Sequence, residues 1–312
     1  MVAIALGGVV YAKKYPMSDG SATSLFTSSE ESNNPKAVLW LEGGLRLAVG
    51  TKDGILHVVS ETGQKVSTIQ LHRSAMAPWT CLENAGPDLF LGGNRTGDLV
   101  RVDLREKKAT KFIGITKSTI VGMALSMSQT QLAMGTNDQQ VVLRDMRKLS
   151  KETHVLKFEH QSAVKALAWA PWNPHHLFTG AGTTDKCIRL FDVARNQLLD
   201  QVDTGSQISS FQISTEYQEL VSTHGFNTNE IIVWKCHPKG KASRYVCPFD
   251  SLYEHKGRVL FSQLNHDQTI LATAGEDETL RFWELFTTVK KMKKAATLQL
   301  SAQMIEHYLS IR

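Results

Sequence analysis

The chain has 312 residues, of which 42% are hydrophobic and 21% are charged, and its formal net charge at neutral pH is +5. That positive excess is small and scattered, so it does not indicate a nucleic-acid-binding protein. No stretch approaches the roughly 20 apolar residues of a membrane-spanning helix, and the four cysteines have no CxxC spacing, which favours reduced thiols over disulfides or a metal site.

A unit of 42 to 45 residues recurs along the chain, with one longer spacing of 51 residues before the last unit. Each unit has an apolar triplet, a small residue, a polar turn and a β-rich run. The seven quartets are Ile4–Gly7, Leu47–Gly50, Leu89–Gly92, Leu132–Gly135, Leu177–Gly180, Leu220–Thr223 and Leu271–Ala274. A period of about 40 to 45 residues built from short strands is typical of propeller blades. The sequence therefore predicts an all-β, seven-bladed β-propeller with a C-terminal tail.

Neighbouring blades cover each other's faces, so a repeat that runs from end to end predicts one domain. We assign residues 1–286 to the propeller and 287–312 to the tail. The apolar run Met1–Tyr11 lacks a basic leading segment and lies in register with the repeats, so it is interpreted as part of a blade rather than a signal peptide. Two segments interrupt the repeat, Ser18–Asn34 and Lys235–Asp250, and both are predicted to be surface loops.

Residues that elsewhere carry out catalysis fall at positions that a blade already explains. Two units end on the Trp of a WD repeat, Trp234 and Trp283. We predict that His255, Asp277 and Trp283 form a structural hydrogen-bonded network, and that His160 and Asp185 form a partial second copy.

Cofactor and metal motifs are not found in the sequence. Cys236-His237 and His175-His176 lack the further ligands of a zinc site, and there is no P-loop or dinucleotide fingerprint. We therefore expect no cofactor, no metal and no catalytic residue.

In a four-stranded up-and-down blade, the entering loop, which precedes the first strand, and the joining loop, which connects the second strand to the third, emerge at the same edge. Six polar residues are predicted on these loops. The entering loops carry Gln207 and Arg258, and the joining loops carry Asn137, Gln139, Thr183 and Glu278. The sequence alone leaves open whether they bind a partner or are ordinary solvated residues.

The chain from His160 to Trp283 resembles the Fizzy and Fizzy-related proteins, which are activators and substrate adaptors of the anaphase-promoting complex. The matching runs are Ala163–Trp172, Thr179–Thr183, Asp203–Gln207, Glu219–Phe226 and Asp277–Trp283. A weaker resemblance extends through the first four blades. It implies a non-catalytic adaptor that recruits degron-bearing substrates such as cyclins to the complex, with checkpoint inhibitors as further partners.

The resemblance also assigns roles to residues of this sequence. Asn137, Gln139, Thr183, Gln207 and Arg258 match positions that bind the Lys-Glu-Asn degron, the KEN box, although Gln139 replaces a shorter Asn. Glu278 matches the acidic residue that pairs with the Arg of the destruction box, in a groove between the first and last blades. Ile311-Arg312 matches a C-terminal pair that docks into a groove of helical repeats on the complex.

The chain departs from the family at its beginning. The second acidic partner for the destruction box and the C box would both precede residue 1, and the first blade begins without its inner strand, so we expect an N-terminally truncated chain. Two alternatives stay open: a non-activating or inhibitory family member, and a general WD scaffold unrelated to the cell cycle. Whether the chain is mitotic or meiotic also stays open, and we expect it in the nucleus and cytoplasm.

Overall fold

The computed structural model describes residues 1–6, 8–13, 22–41, 44–70, 77–149, 157–236 and 244–286. Its contacts divide the chain into two compact units, Met1–Lys157 and Phe158–Arg312. The described part of each unit consists of antiparallel strands and short connections. Within it, no helix has the length and apolar character that crossing a membrane requires.

Unit 1 is a series of small sheets whose strands pair in the order of the sequence. Sheet 1 contains β1 (Val2–Leu6), β2 (Val9–Lys13) and β3 (Thr23–Thr27), and sheet 2 contains β4 (Pro35–Trp40), β5 (Arg46–Thr51), β6 (Ile55–Ser60) and β7 (Lys65–Gln70). Sheet 3 contains β8 (Trp79–Gly86), β9 (Leu89–Asn94), β10 (Leu99–Asp103) and β11 (Lys108–Phe112), and sheet 4 contains β12 (Ile120–Leu125), β13 (Gln131–Thr136) and β14 (Gln140–Asp145). Short 3₁₀ helices span Glu31–Asn33 and Met146–Lys148. The strand β15 (Lys157–Glu159) lies at the boundary of the two units.

Unit 2 continues the same pattern. Sheet 5 contains β16 (Val164–Trp169), β17 (His176–Ala181), β18 (Cys187–Asp192) and β19 (Gln197–Asp203). Sheet 6 contains β20 (Gln207–Ile213), β21 (Glu219–Gly225), β22 (Ile231–Cys236) and β23 (Val246–Leu252), and sheet 7 contains β24 (Val259–Leu264), β25 (Ile270–Gly275) and β26 (Leu280–Glu284). Seven consecutive antiparallel sheets among the described residues confirm the predicted all-β class and the seven repeats.

Two outer strands lie in segments for which the sequence predicts loops. Ser18–Asn34 was expected to be a loop, but Thr23–Thr27 forms β3, and Val246–Leu252, which overlaps the second predicted loop, forms β23. Both strands lie at the outer edge of their sheets, where more side chains are exposed and the composition is that of a solvated segment; in β23, Pro248, Phe249 and Asp250 are all exposed. Residues 18–21 and 237–243 of those predicted loops lie outside the described residues.

The apolar cores lie between consecutive sheets. In unit 1, Val10 and Val49 belong to a cluster shared by sheets 1 and 2, while Ala48 and Phe90 belong to one shared by sheets 2 and 3. In unit 2, Phe178 and Trp234 belong to a cluster shared by sheets 5 and 6. A single sheet buries only part of its apolar surface, so each sheet is stabilised by its neighbour along the chain.

The small residue of the repeat lies where the first strand of the next sheet approaches most closely. A Cβ placed on Gly50 would lie 2.8 Å from Trp79, and one on Gly180 would lie 2.7 Å from both Ile208 and Phe211. Trp79 and Ile208 occupy equivalent places, each immediately before a β-bulge in the first strand of its sheet. In sheet 3 the equivalent glycine is Gly93, which meets Ile120 at 2.8 Å, so the repeat quartet that ends at Gly92 is one residue out of register there. The absence of a side chain at these positions is what allows adjacent sheets to pack.

A side chain also bridges the first strands of consecutive sheets. In unit 2, Gln212 accepts a hydrogen bond from the Leu264 N–H at 3.3 Å and donates one to the Ser262 carbonyl at 3.0 Å. In unit 1, Glu83 accepts from the Leu125 N–H at 3.1 Å. Burial raises the pKa of Glu83 to about 7 from its usual 4.5, because desolvation disfavours the charged carboxylate.

We expect Gly180→Ala to lower the stability of the protein by about 1 to 3 kcal/mol, since the added methyl group overpacks the contact with Ile208 and Phe211. The measurement is urea unfolding followed by circular dichroism. Leu198→Ala, at a position of β19 that is 44% exposed, serves as the control and should leave the midpoint almost unchanged. Equal midpoints for Gly180→Ala and the unaltered chain would show that the sheets can separate without cost.

We expect Glu83→Gln to stabilise the protein increasingly as the pH rises from 5 to 8. A carboxyl whose folded pKa is about 7 and whose usual value is 4.5 binds more protons in the folded state across that window, so stability falls as the pH rises through it. A glutamine has no such dependence. Thermal unfolding at pH 5, 6.5 and 8 measures the difference between the variant and the unaltered chain.

The matched control is Gln212→Glu, which places an acid in the equivalent bridge of unit 2 and should introduce the opposite effect, a loss of stability above neutral pH. If Glu83→Gln shifted the unfolding temperature equally at all three pH values, the Glu83 carboxyl would not titrate in this window.

Candidate peptide-binding surface

The loops of unit 2 that were predicted to share an edge do so. In sheet 5, Gly182 of the joining loop donates its N–H to the Ala163 carbonyl of the entering loop at 3.1 Å. In sheet 6, Asn227 donates its side-chain amide to the Gly205 carbonyl at 2.6 Å, and in sheet 7 the Glu276 N–H bonds to the Arg258 carbonyl at 2.8 Å. We call the edge formed by these entering and joining loops the loop edge of unit 2.

Consecutive sheets are tied together along this edge. Thr204, in the connection between β19 and β20, bonds through both its backbone N–H, at 3.0 Å, and its hydroxyl, at 2.9 Å, to the carbonyl of Lys186 in the joining loop of sheet 5. In sheet 6, the buried Ser206 hydroxyl donates to the Gly225 carbonyl at 2.6 Å. These bonds hold the loops in one conformation, so the side chains that they display are preorganised.

The predicted structural network of sheet 7 is confirmed, with an additional member. His255 Nδ1 lies 3.1 Å from Asp277, and its Nε2 lies 2.8 Å from the Thr273 hydroxyl. Trp283 Nε1 donates to the same hydroxyl at 2.9 Å, so Trp283 joins the network through Thr273. Burial lowers the pKa of His255 despite the nearby Asp277, so the imidazole is neutral at physiological pH.

Sheet 5 has the predicted second copy. His160 contacts Asp185 at 3.4 Å and the Thr179 hydroxyl at 2.9 Å, while Arg189 is paired with Asp185 at 2.7 Å. Burial lowers the pKa of His160. These polar groups are bonded to one another inside the protein, as buried polar groups generally are. Their bonds stabilise the loops at the loop edge.

A third arrangement of this kind was not predicted. In sheet 6, the Ser222 hydroxyl lies 2.7 Å from His224 Nε2 and accepts from Trp234 Nε1 at 2.7 Å. Burial lowers the pKa of His224 to about 4. The signal was present in the sequence, because the third member of the repeat quartet is a hydroxyl residue in all three sheets of unit 2: Thr179, Ser222 and Thr273.

Three of the proposed KEN-box residues lie on the loop edge of unit 2. Thr183 is exposed in the β17–β18 loop, Gln207 is the half-buried first residue of β20, and Arg258 directly precedes β24. Gln207 pairs with Gly225 across β20 and β21, and a Cβ on Gly225 would lie 2.7 Å from the stem of Arg258. The structure therefore brings Gln207 and Arg258 together around Gly225.

The Arg258 guanidinium is held by two residues that the sequence analysis did not single out. Its Nε donates to Glu276 Oε2 at 2.7 Å and its Nη2 to Oε1 at 2.8 Å. One face lies over the Phe226 ring, 4.3 Å from the centroid. Phe226 is 60% exposed and has φ of 75°, a left-handed conformation that is unusual for a bulky residue. No sequence pattern indicates this cluster, since Arg258 and Glu276 are 18 residues apart.

The other two proposed KEN-box residues belong to unit 1. Asn137 and Gln139 are exposed in the β13–β14 turn, and the Asn137 N–H donates to the Thr119 carbonyl of the entering loop at 3.0 Å. Gln139 has φ of 72°, a conformation in which Asn is enriched several-fold. This left-handed turn explains why a shorter Asn would suit the position, and it places Gln139 at the tip of the loop.

Glu278, proposed for the destruction box, is exposed in the β25–β26 turn of unit 2, with φ of 58°. Its neighbour Asp277 belongs to the His255 network, whereas Glu278 is exposed. The docking pair Ile311-Arg312 lies outside the described residues. Among the residues that the structure describes, no group of three or more His, Cys, Asp or Glu side chains is arranged to hold a metal ion.

Comparison with known proteins identifies the family of this chain. Residues 1–283 match the family model of the CDC20/Fizzy WD40 domain. The B-type cell cycle switch protein ccs52B of Medicago truncatula is 33% identical over 260 residues, which cover 81% of this chain and 50% of that protein. Cell division cycle 20.5, cofactor of APC complex, of Arabidopsis thaliana is 30% identical over an alignment that covers all of this chain and 68% of that protein. The chain thus spans about half the length of the first of these relatives.

A solved structure has the same fold. A chain in the crystal structure of the mitotic checkpoint complex superposes with a TM-score of 0.81 at 32% identity, covering 91% of this chain and 86% of that one. This similarity and the seven described sheets establish the fold as a seven-bladed WD-repeat β-propeller. The family match extends over nearly the whole chain, and the chain belongs to the CDC20/Fizzy family.

Proposed function

We propose that this protein is a substrate-recruiting activator of the anaphase-promoting complex, a ubiquitin ligase, and that it acts as an adaptor rather than as an enzyme. Membership of the CDC20/Fizzy family supports the role, as does a relative whose name describes a cofactor of that complex. Recruitment raises the effective concentration of substrate lysines near the catalytic subunits, so the adaptor needs no chemistry of its own.

The observation that carries the proposal is the preorganised group around Arg258 on the loop edge of unit 2. Arg258 and Gln207 both lie next to Gly225 and are partly exposed. A guanidinium recognises a carboxylate through paired, charge-assisted hydrogen bonds, and an amide both donates and accepts. The KEN box offers one carboxylate, one ammonium and one amide, so this chemistry is complementary to it.

The proposed assignment is that Arg258 binds the Glu of the KEN box and that Gln207, Thr183, Asn137 and Gln139 bind its remaining polar groups. Glu278 would pair with the Arg of a destruction box. Ile311-Arg312 would dock onto the complex, which gives the substrate and the ligase separate points of attachment to one chain. The name of the solved relative, a checkpoint complex, supports inhibitory checkpoint proteins as further partners.

We expect Arg258→Ala to weaken binding of a fluorescein-labelled KEN-box peptide at least tenfold in a fluorescence polarisation titration. A hydrogen bond to a charged group contributes about 1.5–3 kcal/mol, and a factor of ten corresponds to about 1.4 kcal/mol. The specificity control is a peptide in which Lys-Glu-Asn is replaced by three alanines.

The matched protein control is Lys256→Ala. It removes an equal charge two residues away on the same loop, and its affinity for the KEN peptide should stay within about twofold of the unaltered chain. Unchanged binding by a folded Arg258→Ala variant would refute the assignment of the site, and equal binding of the KEN and alanine peptides by the unaltered chain would refute the degron-receptor role.

Activation is tested separately. Ubiquitination of a cyclin fragment by the purified complex should increase when the chain is added, and deletion of Ile311-Arg312 should reduce that increase while leaving KEN-peptide affinity unchanged. A smaller increase in ubiquitination with unchanged peptide affinity is expected because the pair is proposed to dock the chain onto the ligase and to take no part in degron binding. Peptide binding without any increase in ubiquitination would instead identify a non-activating member of the family.

A further inference from the structure

Arg258 already has a carboxylate partner within its own sheet. Both oxygens of Glu276 accept from it, one from Nε at 2.7 Å and the other from Nη2 at 2.8 Å. This is the paired, side-on geometry through which an arginine binds a ligand carboxylate. An acidic side chain of a bound peptide therefore meets an edge of the guanidinium that is occupied.

Contacts with Phe226, Gly225 and Glu276 restrict the rotation of the Arg258 side chain away from Glu276. Phe226 lies against one face of the guanidinium at 4.3 Å, and Gly225 leaves room for the aliphatic stem, since a Cβ there would lie 2.7 Å from Arg258 Cγ. The Glu276 N–H is bonded to the Arg258 carbonyl at 2.8 Å, which holds the two residues side by side. The two side chains are therefore held next to each other, one directly before β24 and the other directly after β25.

The charges of the pair cancel, and both members face solvent: the Arg258 side chain is 31% exposed and that of Glu276 is 51% exposed. Exposed ion pairs contribute little to stability, so the fold does not depend on this one. The neighbouring acid Asp277, by contrast, is committed to His255 and to the Lys256 N–H. Of these two neighbouring acids, Glu276 is the one that forms an ion pair with Arg258.

We propose that Glu276 is a specificity-determining residue of the peptide site, an internal carboxylate that competes with the acidic residue of the ligand for Arg258. An acidic ligand either displaces Glu276 from the Nε–Nη2 edge or binds the remaining N–H groups beside an already neutralised pair. In both cases the advantage of a glutamate over a glutamine in the ligand is reduced. This inference rests on the proposed function, because it assumes that Arg258 is the residue that reads the acidic position.

The test compares Glu276→Gln with the unaltered chain in polarisation titrations with three labelled peptides: one containing Lys-Glu-Asn, one containing Lys-Gln-Asn and one containing three alanines. Glu276→Gln should bind the Lys-Glu-Asn peptide at least threefold more tightly and the Lys-Gln-Asn peptide with unchanged affinity. The charge control is Glu284→Gln, at an exposed position at the end of β26, which should bind all three peptides as the unaltered chain does.

A double variant tests whether the effect passes through Arg258. In an Arg258→Ala background, Glu276→Gln should no longer increase affinity, because the residue for which the two carboxylates compete is absent. An equal gain in both backgrounds would mean that Glu276 acts by general charge repulsion, and the inference would be wrong.

The outcomes separate this inference from the proposed function. If the unaltered chain binds the Lys-Glu-Asn peptide, Arg258→Ala weakens that binding at least tenfold and Glu276→Gln leaves it unchanged, only the competition inference is overturned. If neither the unaltered chain nor Glu276→Gln distinguishes the Lys-Glu-Asn peptide from the alanine control, the proposed degron site is overturned and the inference with it.

Discussion

The packing of the sheets depends on the close approach of each first strand to a small residue of the sheet before it. Gly50 against Trp79, Gly93 against Ile120 and Gly180 against Ile208 repeat the same contact, and Trp79, Ile120 and Ile208 are almost completely buried. Because the contacts leave no room for a methyl group, they fix the distance between neighbouring sheets. A closely packed interior transmits strain from one element to the next. The spacing of the sheets therefore also determines where the loops at the ends of their strands lie.

The buried polar groups of unit 2 add hydrogen bonds to the apolar contacts between the sheets, and these bonds position the loops. A hydroxyl at one position of the second strand bonds a histidine in each of the three sheets, and in sheets 6 and 7 also a tryptophan. These groups cost free energy when unpaired, so the hydrogen bonds between hydroxyl, histidine and tryptophan favour the conformation of the entering and joining loops in which they form. The polar residues proposed to bind a peptide are therefore presented by loops that the fold has already ordered.

The repeat and the second and third strands could be predicted from the sequence, because their buried apolar residues recur at a fixed period. The outer strands Thr23–Thr27 and Val246–Leu252 could not, since they are stabilised by pairing with the neighbouring strand rather than by their own composition. At the candidate site, loop parity placed Gln207, Thr183 and Arg258 on one edge. The contacts of Arg258 with Glu276 and Phe226 escaped prediction because they join three loops that are distant in sequence, and only the folded sheets bring them together.

Glu276 separates two properties of the proposed site that the same residues usually determine. One is which side chains contact the peptide, and the other is how strongly an acidic residue is preferred. It lies on the turn of sheet 7 and not among the residues proposed to contact the peptide, so under the proposed competition its exchange would change the preference for an acidic residue while leaving those contacts in place. Affinity differences among related complexes arise mostly in the dissociation rate. If the proposed competition holds, a single residue would adjust the order in which acidic peptides leave the proposed site, while the contact residues stay the same.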